Sequence, residues 1–184
     1  MVNLGILSDT HIPDRARVLP LRLLEIFRSE SVDAILHAGD VCIPGVLREL
    51  EQIAPVYAVR GNRDIYALHH LPLQLVLNFE GYKVGMVHGH GRLHEYLSDK
   101  AHYLVSGLQE GRFRTRLIKA LPGVNVMVFG HLHRRFYEWE QGMLLLNPGS
   151  ACCPDWYSGN PPGMAILHLQ AGSPIEGEFF DLRQ

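Results

Sequence analysis

Cysteine is scarce in this chain: three residues among 184, two of them adjacent at Cys152 and Cys153. An odd count with that spacing builds no disulfide framework and fits a reducing, cytoplasmic compartment. Long apolar runs are missing too. Segments such as Val126–Phe129 and Met143–Leu146 fall far short of the roughly 18 residues a membrane span requires, so no membrane partner is expected. The first residues, Met-Val-Asn-Leu-Gly-Ile-Leu-Ser-Asp, carry neither a basic lead nor a cleavage pattern, which speaks against a secretory signal. Neither sign of charge dominates. With 17 Lys+Arg against 19 Asp+Glu the net charge is −2, which removes any general pull toward nucleic acid. Repeats, low-complexity tracts and linkers are absent. A hydrophobic share of 47% with 20% charged residues excludes disorder and suits one folding unit over residues 1–184. Histidine alone is abundant, at 11 residues.

Short apolar runs alternate with amphipathic ones. Val2–Leu7, Ala34–His37 and Val56–Val59 read as buried strands, separated by helical stripes over Leu19–Phe27 and Ile43–Ile53. That order predicts βαβ crossovers and a largely parallel sheet. Beyond them, Leu73–Phe79 and Lys83–Val87 resemble a hairpin around Glu80-Gly81-Tyr82. Residues 93–121 are partly helical in pattern, with Gly107 and Gly111 as breaks. Val124–Phe129 is a further strand, Arg135–Trp139 and Met143–Leu146 form a second hairpin, and Met164–Leu169 and Glu176–Phe180 complete the set. The prediction is an α/β protein of two sheets packed face to face with helices outside.

Nearly every apolar run ends in a side chain able to bind metal. Asp9 and His11 follow the first strand, Asp40 the second and Asn62 the third. His88 follows the Lys83 run, and His131 and His133 follow the Val124 run. Ligand sites of parallel α/β sheets gather outside the carboxyl ends of strands, and neighbouring strands lie about 4.8 Å apart, so these groups can converge. Singly the motifs decide little: a chain with 8 Asp and 11 His holds about half an Asp-x-His by chance. Jointly they are informative, because Asp-x-His, Gly-Asp, Gly-Asn, His-Gly-His and Gly-His-x-His occur in order, each at a strand exit. Imidazole with carboxylate and amide oxygen suits Mn²⁺ first, with Ni²⁺, Fe²⁺, Co²⁺ or Zn²⁺ as alternatives. Seven donors exceed what one open site needs and suit two ions sharing a bridge, with Asp40 the natural bridging carboxylate. Two such ions can acidify a water and hold both oxygens of an in-line displacement at phosphorus.

These motifs resemble the calcineurin-like metallophosphoesterase superfamily. Small size, His88-Gly89-His90 and Asn147-Pro148-Gly149-Ser150 are similar to its compact bacterial and archaeal phosphodiesterase branch, which also holds the retromer subunit Vps29. The resemblance implies an α/β/β/α sandwich with a dinuclear centre and a small phosphoester substrate attacked by a metal-bridging hydroxide. It assigns Asp9, His11, Asp40 and His133 to one ion and Asp40, Asn62, His88 and His131 to the other. Asn62 then also orients a phosphate oxygen. The sequence departs from the superfamily once, with Arg63 where a histidine is thought to protonate the leaving group. Arginine stays charged and cannot serve as the acid, although it can stabilise a phosphoryl group; a surface ion pair with Asp64 is the competing role. His90, two residues after His88, is the substitute proton donor or phosphate contact. The resemblance also leaves two other functions open: a catalytically silent protein-interaction module, and a phosphomonoesterase or nucleotide pyrophosphatase.

The remaining signals are weaker. Arg112, Arg114 and Arg116 form the one basic cluster, for which a solvated helix face is preferred over a nucleic-acid contact. Asn147 to Ser150 reads as a strand-exit turn more than as a cleft border. Trp139, Trp156 and Tyr157 would suit a homo-oligomer if exposed. His37, His69, His70, His94, His102 and His168 have no spacing that marks them as ligands.

Overall fold

The computed structural model describes residues 1–91, 110–154 and 159–183. His94, His102, Gly107, Trp156 and Tyr157 lie outside those residues. Ten strands and three helices are described: β1 (Val2–Leu7), α1 (Leu21–Ser29), β2 (Ala34–His37), α2 (Pro44–Leu50), β3 (Val56–Ala58), β4 (Gln74–Phe79), β5 (Tyr82–Val87), α3 (Glu110–Ala120), β6 (Val126–Val128), β7 (Arg135–Glu140), β8 (Met143–Pro148), β9 (Gly163–Leu169) and β10 (Glu176–Asp181).

The strands form two five-stranded mixed sheets, ordered β10-β9-β1-β2-β3 and β4-β5-β6-β8-β7. In the first, β1, β2 and β3 run parallel and end level, with Leu7 opposite His37 and His37 opposite Ala58. In the second, β5, β6 and β8 run parallel, with Met86 opposite Val128 and Val128 opposite Leu146. Each sheet therefore sends three neighbouring strand ends in one direction.

The two-residue period of a strand sorts the side chains between layers. Leu4, Ile6, Ala34 and Leu36 from one sheet meet Val84, Met86, Val126, Val128, Leu144 and Leu146 from the other in a buried core. The alternate residues face outward. Leu7 and Ile35 pack under Leu23, Phe27, Val46 and Leu50 of α1 and α2. Met127, Phe129 and Leu145 pack under Phe113 and Leu117 of α3. The result is the α/β/β/α sandwich that the sequence predicts. Gly5 faces the ring of Phe27 so closely that a side chain there would overlap it.

Three boundaries differ from expectation for physical reasons. Helix α1 starts at Leu21 and not Leu19 because Pro20 disfavours helical backbone at the residue before it and is itself extended, with φ −59° and ψ 127°. Gly111 does not break α3 but sits in its first turn, where a glycine costs least, and a Cβ there would meet nothing within 4 Å. The run Val124–Phe129 pairs only over Val126–Val128, while Val124 and Phe129 are buried beneath α3.

Candidate metal centre

The level strand ends of both sheets lead into tight turns. Asp9, His11, Asp40, His131 and His133 adopt left-handed backbone, with φ of 53°, 49°, 57°, 70° and 56°. Non-glycine residues rarely do so, and each persists because its neighbours hold it there. Backbone bonds tie the turns together: Asp9 N–H donates to Gly39 O at 3.0 Å, His11 N–H to Asp40 O at 3.0 Å, and Gly130 N–H to His88 O at 3.1 Å. Across the seam between the sheets, His131 N–H donates to Asp9 Oδ2 at 3.0 Å. A Cβ at Gly61 would overlap the Asp40 carboxylate, and one at Gly130 would overlap Ser8, so these glycines let the turns close.

The side chains meet where the turns converge. His133 Nε2 lies 3.3 Å from Asp9 Oδ1, His11 Nε2 lies 3.6 Å from it, and His88 Nε2 lies 3.9 Å from it. Asp40 directs one oxygen to each side, with Oδ1 3.5 Å from His88 Nε2 and Oδ2 3.8 Å from His11 Nε2. Asn62 Oδ1 sits 3.2 Å from His88 Nε2 and 3.1 Å from His131 Nδ1. Asp9, His11 and His133 form one set able to hold a metal ion, and Asp9, Asp40 and His88 form a second. The two sets share Asp9, while Asp40, the bridge chosen from sequence, also reaches both sides. All seven residues thus come together, four from the first sheet and three from the second.

Several features of this cluster fit a divalent cation. Asp9 Oδ1 is buried and makes no hydrogen bond, which is costly for a carboxylate oxygen without a positive partner. His11 Nε2 and His133 Nε2 are only 2.9 Å apart, so at most one can carry a proton between them. Burial pushes the imidazole of His11 down to about 4 and that of His131 down to about 3, leaving neutral donor nitrogens at pH 7. Burial also opposes a charge on His88, but without a cation Asp40 and Asp9 overcome it and raise this imidazole to about 9, so a metal ion bound there would displace that proton. Burial likewise works against Asp9 ionisation, yet the adjacent His133 and His88 hold its carboxyl well below the ordinary carboxylate range. His88 is oriented by Ala38, whose carbonyl lies 2.8 Å from Nδ1 and leaves Nε2 for the centre.

Arg63 and His90 stand differently. Arg63 donates its backbone N–H to Asp40 Oδ1 at 2.8 Å, while its guanidinium, 45% exposed, pairs with Asp14 at 3.3 Å. The surface pair with Asp64 weighed from sequence does not form, because Asp64 is fully buried and already occupied. The ring centroid of His90 lies 5.3 Å from that of His88, and its Nδ1 is buried without a partner.

Asp64 is the main residue that sequence reasoning passed over. Its Oδ2 accepts N–H groups from Asp40 at 2.9 Å and Gly61 at 2.7 Å, and its Oδ1 accepts the Cys42 N–H at 2.7 Å. Ser8 Oγ donates to Asp9 Oδ2 at 2.6 Å, and Ser150 Oγ donates to the Asp9 carbonyl at 2.6 Å. Asn147 donates to Gly130 O at 2.9 Å, so the segment read as a plain exit turn braces the centre from β8. His37, also unassigned, is fully buried between Thr10 Oγ1 and the Gly39 N–H, each 3.2 Å away. The signal for Asp64 was its place in Gly61-Asn62-Arg63-Asp64; the others gave none beyond adjacency to a motif.

Known proteins share this arrangement of chain. Residues 2–172 match the model of the calcineurin-like phosphoesterase superfamily domain. A probable metallophosphoesterase of Methanothermobacter thermautotrophicus is 36% identical over 175 residues, covering 95% of this chain and 90% of its own. Phosphodiesterase MJ0936 of Methanocaldococcus jannaschii is 26% identical over 184 residues, covering 92% and 94%. The fold is also that of wild-type Vps29 from Entamoeba histolytica in complex with Zn²⁺, with a TM-score of 0.73 at 20% identity over 99% and 100% of the chains. With the domain match spanning most of its length, this chain belongs to the calcineurin-like phosphoesterase superfamily.

Proposed function

We propose that this protein is a divalent-metal-dependent phosphodiesterase with a dinuclear centre, Mn²⁺ being the first candidate. The observation that carries the proposal is the buried donor cluster itself, in which the unbonded Asp9 Oδ1 lies beside His11, His133 and His88 while Asp40 reaches His11 with one oxygen and His88 with the other. Asp9, His11, Asp40 and His133 would hold one ion and Asp40, Asn62, His88 and His131 the other. What a divalent pair supplies when bound is an acidified water and neutralisation of phosphate charge.

The chain's own residues do the rest. His11 and His131 present unprotonated nitrogens at neutral pH, so no proton competes for those positions. Asn62 contributes a neutral amide oxygen and an N–H₂ group that can orient a phosphate oxygen. His90 fits the role of phosphate contact better than that of acid. Burial lowers it to about 4, so at pH 7 it has no labile proton but can still donate one N–H. Arg63 acts through its backbone N–H on Asp40. With no side chain among the described residues dedicated to protonating an alkoxide, a diester or an activated ester is the favoured substrate.

The test is hydrolysis of bis(p-nitrophenyl) phosphate with added Mn²⁺, together with metal content of protein purified without chelator. About two equivalents of metal and activity lost in Asp40→Asn and His88→Ala are expected. Equal rates in parent and variants, or no metal uptake, overturn the proposal and leave a silent interaction module. Faster turnover of p-nitrophenyl phosphate than of the diester would make it a monoesterase.

A further inference from the structure

Helix α3 carries Arg112, Arg116 and Lys119 at i, i+4 and i+7, a spacing that puts them on one helix face. The adjoining face buries Phe113 and Leu117 against the second sheet, Leu117 also reaching the cavity that the basic face lines. The basic face is not merely turned to bulk water. With Thr115 it lines a cavity of about 990 Å³ whose other wall includes His88, Gly89 and His90. This cavity therefore adjoins the metal centre at His88.

The charges that its described residues place in it are of one sign. Among the described lining residues there is no Asp or Glu. Arg114, on another side of the helix, is taken up by Glu138 at 2.5 Å and Glu140 at 3.6 Å. Arg112 and Lys119, both exposed, form no ion pair among the described residues. Arg116 is anchored in place, donating to Gly89 O at 2.8 Å and lying 5.1 Å over the Phe113 ring. A net charge of −2 gives no global attraction for polyanions, but a cleft whose described lining carries Arg112, Arg116 and Lys119 and no carboxylate focuses a local one.

We propose that this cavity is the subsite for a second phosphate, so that the preferred substrate is a phosphodiester joined through a sugar to a further phosphate, as in an oligonucleotide. The inference rests on the phosphodiesterase function proposed for the adjoining centre. Seven residues of helix span about 10 Å. A row of cations that long matches phosphates separated by a sugar better than two phosphates joined directly.

Two matched comparisons test it. In the first, thymidine 5′-(p-nitrophenyl phosphate) is compared with its 3′-phosphorylated counterpart in the parent and in Arg112→Gln/Lys119→Gln. The expected KM for the 3′-phosphorylated ester rises about tenfold in the variant, as for two exposed charge-assisted contacts. Its kcat and the kinetics of the plain ester stay within twofold. Equal change for both esters, or none for either, overturns the subsite. The second comparison is calorimetric binding of thymidine 3′,5′-bisphosphate, thymidine 5′-diphosphate and thymidine 5′-monophosphate. The bisphosphate is expected to bind tightest in the parent and to lose about tenfold in the variant. A diphosphate that binds as tightly as the bisphosphate overturns the sugar-linked assignment. Tight bisphosphate binding without hydrolysis of either ester would retain the subsite and reject the phosphodiesterase function.

Discussion

Asp64→Asn tests the claim that a buried carboxylate builds the turn carrying Asp40. Asp64 is fully buried and receives three N–H groups, two on Oδ2 and one on Oδ1. An asparagine keeps one accepting oxygen. Placed to serve Asp40 and Gly61, it turns its N–H₂ toward the Cys42 N–H, donor against donor. Each buried donor left unpaired costs about 1–3 kcal/mol, and the bonds that remain lose their charge assistance. Removing the buried charge recovers part of this, since burial itself pushes the Asp64 carboxyl up despite the Cys42 and Gly61 N–H groups. The net loss expected is about 2 kcal/mol, or about 4–8 °C in Tm for a chain of this size. Asp64→Ala leaves all three donors unpaired and is expected to lose about 3–5 kcal/mol. Urea unfolding with chelator present measures both variants. Mn²⁺-dependent diester hydrolysis is expected to fall at least tenfold in Asp64→Asn, because the displaced groups are the Asp40 and Gly61 main chain. Stability within about 0.5 kcal/mol of the parent would refute the reasoning.

Two further outcomes follow from single residues. Burial holds the His37 imidazole down at about 3, below the ordinary value of 6.5. The unfolded chain therefore binds this proton more readily, and the contribution to stability is complete above pH 6.5 and drains as pH falls toward 3. Between pH 6.5 and 4.5, metal-free parent should lose about 2 kcal/mol more than His37→Gln in urea titrations, at about 1.4 kcal/mol per pH unit; parallel losses would contradict it. For Arg63, the exposed pair with Asp14 predicts a stability change under about 1 kcal/mol in Arg63→Ala and kcat within about threefold. A tenfold drop in kcat at unchanged KM would instead place the guanidinium on the reacting phosphate.

The layer order and the gathering of the seven donors were legible in the sequence for the same reason. Buried strands are short apolar runs, and parallel strands leave their ends together, so residues far apart such as Asp9 and His131 had to be neighbours. Side-chain direction was not legible. Asp64 and Arg63 are adjacent charged letters, yet one points into three N–H groups and the other out to Asp14. Period-two and period-3.6 patterns do not reach into such turns. Nor could the pattern of α3 reveal that its basic face meets the wall formed by His88 and His90, which depends on how the helix is set on Phe129 and Met127.

The site straddles the seam between two sheets, with His131 bonded to Asp9 and His133 and His88 reaching across to carboxylates of the facing layer. A cation held there would act as a rivet through both leaves of the sandwich. Chelation would then loosen more than a catalytic corner: it would unfasten one edge of the fold, and heat or denaturant would begin its work at that opened margin.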